Sequence, residues 1–418
     1  MSSELGRSRR TVLLVLWLLV LAVFPVWVHF DAPGWDVAVY AKGMRDAAAG
    51  LDPYEQAMAV QRTYHASHAL QAGVAPPYSY VYSPITLPLL RGIAHAPEWL
   101  SGAVYWLLYA LGALAQIWVG MRFVRRQEFG VFAFVAPLTL FFPGLLANGT
   151  VQSGNIAYIL YALVFSAAVY GWRRQRWGWF YAAVLIASCV KAPLLSLVVI
   201  APLSARRQIL PAVATVAAGV SLFGFQPMLW PSLFRHYLQA VELQFSYNRD
   251  FGCSPAGLFS AIRFDHGLSY APASYFVYLA YALPLLGCMF YLSRRFFRGD
   301  FTLQEWAPLL LVGTILLNPR LLEYDVAPIT LPLALLAWRW VAGLGRFRVV
   351  AASVAVAFFV VANGLSIYSW EVRKRIDGPL LVILFVAGAW TLLRSARAAG
   401  DELEIYRETP SRGELAEA

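Results

Sequence analysis

The sequence predicts an all-α, polytopic membrane protein of about twelve spans with a structured first outer loop. Three observations carry that expectation. The 418-residue chain is 60% hydrophobic and only 13% charged, whereas soluble domains carry about a quarter charged residues. Its apolar runs repeatedly approach the roughly 20 residues that cross a bilayer. Its arginines gather in short clusters between those runs, so the formal charge of +10 reads as the positive-inside bias of a membrane protein. A nucleic-acid footprint fits that distribution less well, and no nucleic-acid partner is expected. The alternating ten-residue segments of a membrane barrel are missing from the sequence.

Taken in order, residues 1–10 carry Arg7, Arg9 and Arg10 and lead into the apolar run 11–28. No small-x-small cleavage site follows it, so it reads as an uncleaved first span with a cytoplasmic N-terminus. The polar stretch 31–97 is then the first outer, periplasmic loop. It concentrates Asp31, Asp36, Asp46, Asp52 and Glu55 with Trp35, Tyr40, Tyr54, Tyr78, Tyr80 and Tyr82. Helical spacing over 36–49 ends at Gly50, a C-cap residue. Leu51-Asp52-Pro53-Tyr54 opens a second helix to about residue 70, before Pro76 and Pro77. Residues 85–94 are apolar but too short to cross, and are placed as a half-buried helix on the outer side.

Residues 101–121 run inward to Arg122, Arg125 and Arg126. Residues 131–146 run outward to the polar link 148–155, and 156–170 return to Arg173, Arg174 and Arg176. The stretch 177–204 lies between two basic clusters with Lys191-Ala192-Pro193 at its middle. Pro193 breaks a helical ladder, so two short spans meeting at Lys191 fit better than one long helix. Residues 209–225 lead out to a second long outer loop, 226–271, and 272–292 return to Arg294, Arg295 and Arg298. Residues 306–317 go out to the turn 318–325, 326–341 return to Arg346 and Arg348, 349–365 go out and 380–393 come back. Residues 1–393 thus form the membrane domain, and the Glu- and Arg-rich tail 394–418 reads as a disordered cytoplasmic segment. Arg373-Lys374-Arg375 falls outside in this count, against the charge bias.

The polar motifs share one side. The first loop, Gln152 and Asn155, Lys191, the 226–271 loop and the 318–325 turn all face out, which predicts an outward-facing cavity. Asp36 is the candidate catalytic base, at the head of the loop helix where a carboxylate can point into the cavity mouth; Asp31, nearer the lipid boundary and flanked by Ala32-Pro33-Gly34, ranks behind it as the alternative base, and an N-cap is the structural alternative for Asp36. Asp52, in Asp-Pro-Tyr, reads first as a turn or cap residue, and Gln152 and Asn155 also suit caps of adjacent spans. Lys191 is a lone cation in an apolar run, where a charge costs on the order of 3 kcal/mol. It either snorkels from the hairpin tip or meets a lipid phosphate. Arg320, Glu323 and Asp325 form either a local salt-bridge cluster or part of the site. No His/Asp/Glu group has metal spacing, and Walker A, Gly-x-Ser-x-Gly and zinc motifs are missing from the sequence. No metal and no cofactor are expected.

The order of these pieces resembles the polyprenol-phosphate-sugar-dependent glycosyltransferases of the GT-C superfamily, most of all glycosyltransferase family 87. The residues that carry the resemblance are Asp36 and Tyr40, then Gly50, Asp52, Pro53 and Tyr54, then Tyr80, Tyr82 and Pro84. Gln152 and Asn155, Lys191 and Pro193, and Asn318 and Pro319 follow in order. The chain departs from the family at Ser83-Pro84, often a double proline, at Val151-Gln152, often Gly-Gln, and in 318–325, which lacks a frequent histidine.

The resemblance implies a GT-C bundle in a bacterial inner membrane. It would transfer a hexose, mannose in the named members, from a polyprenyl-phosphate donor to a lipid or glycan acceptor hydroxyl outside the cytoplasm. Asp36 would act as base; Tyr40, Asp52, Tyr54, Tyr82, Gln152, Asn155, Lys191, Arg320 and Glu323 would bind substrate. A competing class is a transporter or flippase for a lipid-linked or small polar solute, which should show paired repeats or helices broken near the midplane. A structural membrane subunit leaves Lys191 and the acidic loop without a role.

Overall fold

The structure, a computed structural model, describes residues 11, 15, 34–68, 80–141, 153–248, 252, 254–259, 273–354, 357, 361 and 370–408. The expected first span therefore lies outside the described residues apart from Thr11 and Val15, and Asp31, Tyr78 and Gln152 lie outside them altogether. Among the described residues the fold is helical, with a single β-bridge between Gly252 and Leu321.

The first loop folds much as its punctuation directs. Helix α1, Trp35–Ala48, ends in a Schellman turn. Gly50 takes φ +74°, its N–H donates to the Ala47 carbonyl (3.3 Å) and the Leu51 N–H to the Asp46 carbonyl (2.9 Å), and only glycine adopts that backbone without strain. Helix α2, Pro53–His68, is capped by Asp52, whose Oδ1 accepts from the Tyr54 and Glu55 amides at 2.9 and 3.2 Å. Helix α3, Leu87–Ile93, is seven residues long, too short to cross a membrane. Arg91 ties it to α1 through the Ala47 carbonyl at 3.0 Å.

The apolar helices follow. They are α4 (Glu98–Met121), α5 (Phe129–Phe141), α6 (Ala157–Arg174), α7 (Gly178–Val190), α8 (Ile209–Leu229), α10 (Ala273–Arg298), α11 (Leu303–Leu316), α12 (Thr330–Ala342) and α13 (Trp370–Glu408). Among the described residues five helical segments, Glu98–Met121, Ile209–Leu229, Tyr275–Arg298, Tyr324–Ala342 and Ile376–Ser395, are long and apolar enough to span a bilayer. Helix α11 is apolar on every face and is buried along its length, with Trp306, Leu309, Val312 and Ile315 fully covered, as an all-round hydrophobic helix must be. Helix α8 instead leaves Leu210, Val213, Phe225 and Met228 exposed, as a lipid-facing helix does.

Between α7 and residue 201 the chain divides at Lys191, as Pro193 predicts. The returning arm is not an α-helix but a nine-residue 3₁₀ run, Ala192–Ile200. Each arm is only about 20 Å long, less than the roughly 30 Å bilayer core, so the tip of the hairpin stops short of a full crossing. Two further expectations are corrected. Most of the described part of the 226–271 loop is helix: α8 runs on to Leu229 and α9, Pro231–Asn248, packs on α2. Residues 394–408, read as disordered, continue α13. Their Ala, Glu, Leu and Arg content favours helix, and the preceding apolar turns supply the nucleus.

The bundle has two chemically distinct ends. The turns at 122–128, 201–208, 299–302 and 343–347 meet at one end, which we term the basic end. There Arg206 donates to the Phe297 carbonyl at 3.2 Å and Trp306 to the Leu203 carbonyl at 3.0 Å. Arg339 pairs with Glu128 at 2.8 Å and Arg125 with Glu305. The first loop, the 153–156 turn, Lys191, α9 and the 317–326 segment meet at the opposite, aromatic end.

Candidate functional site

At the aromatic end the residues converge on Asn155. Gly154, at φ +62°, turns the chain into α6. A Cβ there would lie 2.7 Å from Val37 and 2.8 Å from Trp106, so only glycine lets this turn pack between α1 and α4. Tyr105 donates to the Gly154 carbonyl at 2.5 Å. Asn155, 2% exposed, spends both halves of its amide. Its Oδ1 accepts the Ala157 N–H at 2.9 Å, closing a turn at the head of α6, and lies 3.5 Å from Lys191 Nζ. Its Nδ2 donates to Asp36 Oδ2 at 3.0 Å and stands 3.5 Å from the Tyr82 hydroxyl.

Asp36 occupies the first turn of α1, and Gly34 stands at the N-cap. The capping alternative for Asp36 therefore does not hold, and its carboxylate is free to turn to Asn155. Burial pushes the carboxyl up to about 6, against the Asn155 amide, the Lys191 charge, the Ser153 hydroxyl and the Arg320 charge, all of which favour ionisation. Tyr40 and Tyr82 join hydroxyls at 2.7 Å, and Tyr40 also accepts the Ile156 N–H at 3.1 Å. Burial holds both phenols neutral, far above their ordinary range.

Lys191 lies across the amide from Asp36. Its ammonium sits 4.1 Å from the centre of the Tyr324 ring, a cation–π contact. Asp325 and Arg320 are the charges that act on it most strongly. Asp325 is 4% exposed; its Oδ1 accepts the Tyr161 hydroxyl at 3.1 Å and its Oδ2 the Leu322 N–H at 3.0 Å. Arg320 lies on the same segment, its backbone N–H donating to Asn318 Oδ1 at 3.2 Å. Glu323 opens the short helix Glu323–Val326 beside them, but its side chain is not among those described.

Two expected substrate residues are engaged elsewhere. Asp52 caps α2 with one oxygen and meets His236 Nδ1 at 2.6 Å with the other. Tyr54 is fully buried and donates to the Tyr82 carbonyl at 2.5 Å, so it supports Tyr82 from behind. Gln226, at the end of α8, accepts from the Ser83 hydroxyl at 2.6 Å and the Ile85 N–H at 3.2 Å, and so fixes the segment that carries Tyr82. Sequence reasoning passed over Gln226, Ser153, Tyr161 and Tyr324. Only Tyr324-Asp325, a polar pair at the head of an apolar run, carried a signal. Among the described residues, Asp52, Glu55 and His236 form the one group of metal-ligand type, with atoms within 4.8 Å of one another.

Chemically, one amide holds a carboxylate of raised affinity for protons at one end and an ammonium at the other. Comparison with protein-family models, curated proteins and solved structures gives no match for this chain.

Proposed function

We propose that this protein is an integral membrane glycosyltransferase of the GT-C type, closest in character to family 87. It transfers a hexose, with mannose the first candidate, from a polyprenyl-phosphate donor to an acceptor hydroxyl on a lipid or glycan. The observation that supports this reading best is the Asp36–Asn155–Lys191 arrangement, a base and a cation facing one site across a neutral amide.

The acceptor hydroxyl lies at Asp36 and the donor phosphate at Lys191. The acceptor oxygen forms its bond to the anomeric carbon as the carbon–phosphate-oxygen bond breaks. The released electron pair stays on the phosphate, where Lys191 and Arg320 offset the growing charge, and Asp36 takes the acceptor proton. The isoprenoid chain lies along the lipid-exposed faces of the spans, where each buried methylene contributes about 0.8 kcal/mol.

The arginine-rich end is the cytoplasmic one by the positive-inside rule. In this reading the site, at the opposite end, faces the periplasm of a bacterial inner membrane, within a bundle of about twelve spans. Purification with native lipids, mass spectrometry of what copurifies, and transfer of radiolabelled sugar from that lipid to membrane extracts test the reading. Failure to carry a lipid-linked sugar, together with no transfer, sinks it.

The broken hairpin at Lys191 favours one rival, a transporter or flippase, because interrupted helices within the membrane bind solutes in such proteins. Movement of a lipid-linked sugar across proteoliposomes without transfer decides for that class.

A further inference from the structure

The resemblance places Asn155 among the residues that bind substrate, yet the fold spends its amide on the protein itself. The residue is 2% exposed. Its Oδ1 accepts the Ala157 N–H at 2.9 Å. A backbone N–H only donates, so the oxygen of the amide must face it. That fixes which way round the amide lies and gives Nδ2 to Asp36 Oδ2, 3.0 Å away. The frame around this contact is tied down as well. Ser153 Oγ accepts the Asn155 N–H at 3.2 Å, and the Tyr40 hydroxyl on α1 accepts the Ile156 N–H at 3.1 Å. The turn that carries the amide and the helix that carries the carboxylate are therefore bonded to each other at two adjacent residues, 155 and 156.

We propose that Asn155 is a positioning residue: its fixed amide holds the Asp36 carboxylate in the orientation that receives the acceptor proton. The inference rests on the glycosyltransferase reading and deepens it. A neutral donor suits that task. It orients the carboxylate but favours the ionised form less than a paired guanidinium does, so the base keeps its affinity for a proton.

Two variants separate positioning from support of the turn. Asn155→Ser keeps an oxygen for the Ala157 N–H but is too short to reach Asp36. Asn155→Leu keeps the volume and removes both bonds. Transfer by the full chain is measured from polyprenyl-phosphate mannose to membrane extract. Both variants should lower kcat roughly 10–100-fold, with KM for the donor changed less than a few-fold. Both should also move the acid limb of the pH profile up by about one unit, because the lost donor favoured ionised Asp36. The other groups that act on Asp36 or feel its charge are Lys191, Arg320, Ser153, Tyr40, Tyr82 and Tyr105, and neither variant alters them.

Normal turnover in Asn155→Ser with a loss in Asn155→Leu assigns Asn155 to the turn alone and overturns the inference. A raised KM with kcat and the acid limb unchanged marks a substrate contact and overturns it too. A lowered kcat with the limb in place does the same. Each of these leaves the enzyme reading intact. No transfer by wild type, from that donor or from the copurified lipid, overturns both. If Asn155→Leu does not fold, the pH profile of Asn155→Ser decides.

Discussion

Glu128 at the basic end and Asp36 at the aromatic end are both carboxylates drawn out of water, and they respond in opposite directions. Burial alone raises both. At Glu128 the Arg339 guanidinium, with two bonds of 2.8 and 3.0 Å, and Arg125, through its backbone N–H at 2.8 Å and its charge, together more than cancel it, and the carboxyl falls below its ordinary range. At Asp36 the partner is a neutral amide, burial wins, and the carboxyl rises to about 6. The same contrast holds for the cations. Arg339 also donates to the Phe123 and Gln304 carbonyls at 2.9 and 3.0 Å, whereas Lys191 meets a long amide contact and a ring face. One end closes its charges on each other to lock helices together. At the other, the direct contacts of Asp36 and Lys191 are to neutral groups, an amide and a ring face.

The contrast breaks most visibly at Asp36. Asp36→Asn keeps the shape and removes the base, so transfer should fall by roughly 10²–10⁴-fold while the thermal unfolding curve stays near that of wild type. If transfer survives, Asp36 is not the base. Arg339→Met should do the reverse. It strands a buried Glu128 and should cost about 3–5 kcal/mol of stability without lowering turnover per folded molecule. A Glu128 carboxyl of lowered pKa contributes stability above its unfolded value, and that contribution disappears as pH falls through the folded value. The variant's loss against wild type should therefore shrink in acid. Loss of turnover without loss of stability would show that the basic end is more than a latch.

Lys191→Met sharpens the comparison through pH. Turnover should drop about 10²–10³-fold. Wild-type activity should rise with pH around about 6, because a base must be deprotonated to act. Lys191 favours the ionised Asp36, so its removal should move that acid limb to higher pH in the residual activity. A limb that stays in place separates the two residues electrostatically. The smallest effect belongs to His236→Ala. It breaks a partly exposed pair with Asp52 and should cost no more than about 1 kcal/mol, with transfer changed less than a few-fold. A large loss of transfer would bring Asp52 into the reaction.

Local signals determined the helices and their punctuation. Glycine at 50, aspartate before proline at 52–53 and the break at Lys191–Pro193 act over a few residues, and the structure keeps each of them. The segregation of arginine clusters to one end was legible for the same reason, since each cluster borders an apolar run whose length is set by the bilayer. What joins to what was not legible. Asp36 meets Asn155 across 119 residues of chain, and Lys191 reaches the same amide from 36 residues away. Tyr54 and Asp52 look like Tyr82 and Asp36 in the sequence, yet one pair faces the scaffold and the other the site. Gln226 earns its place only because the end of α8 lands beside Ser83. The 3₁₀ arm after Lys191 depends on packing against α7, α8 and α11, which no local propensity records. A side chain's identity fixes what it can bond, but burial and the nearest charge decide whether a carboxylate becomes a latch or a base, and both are properties of the packed bundle.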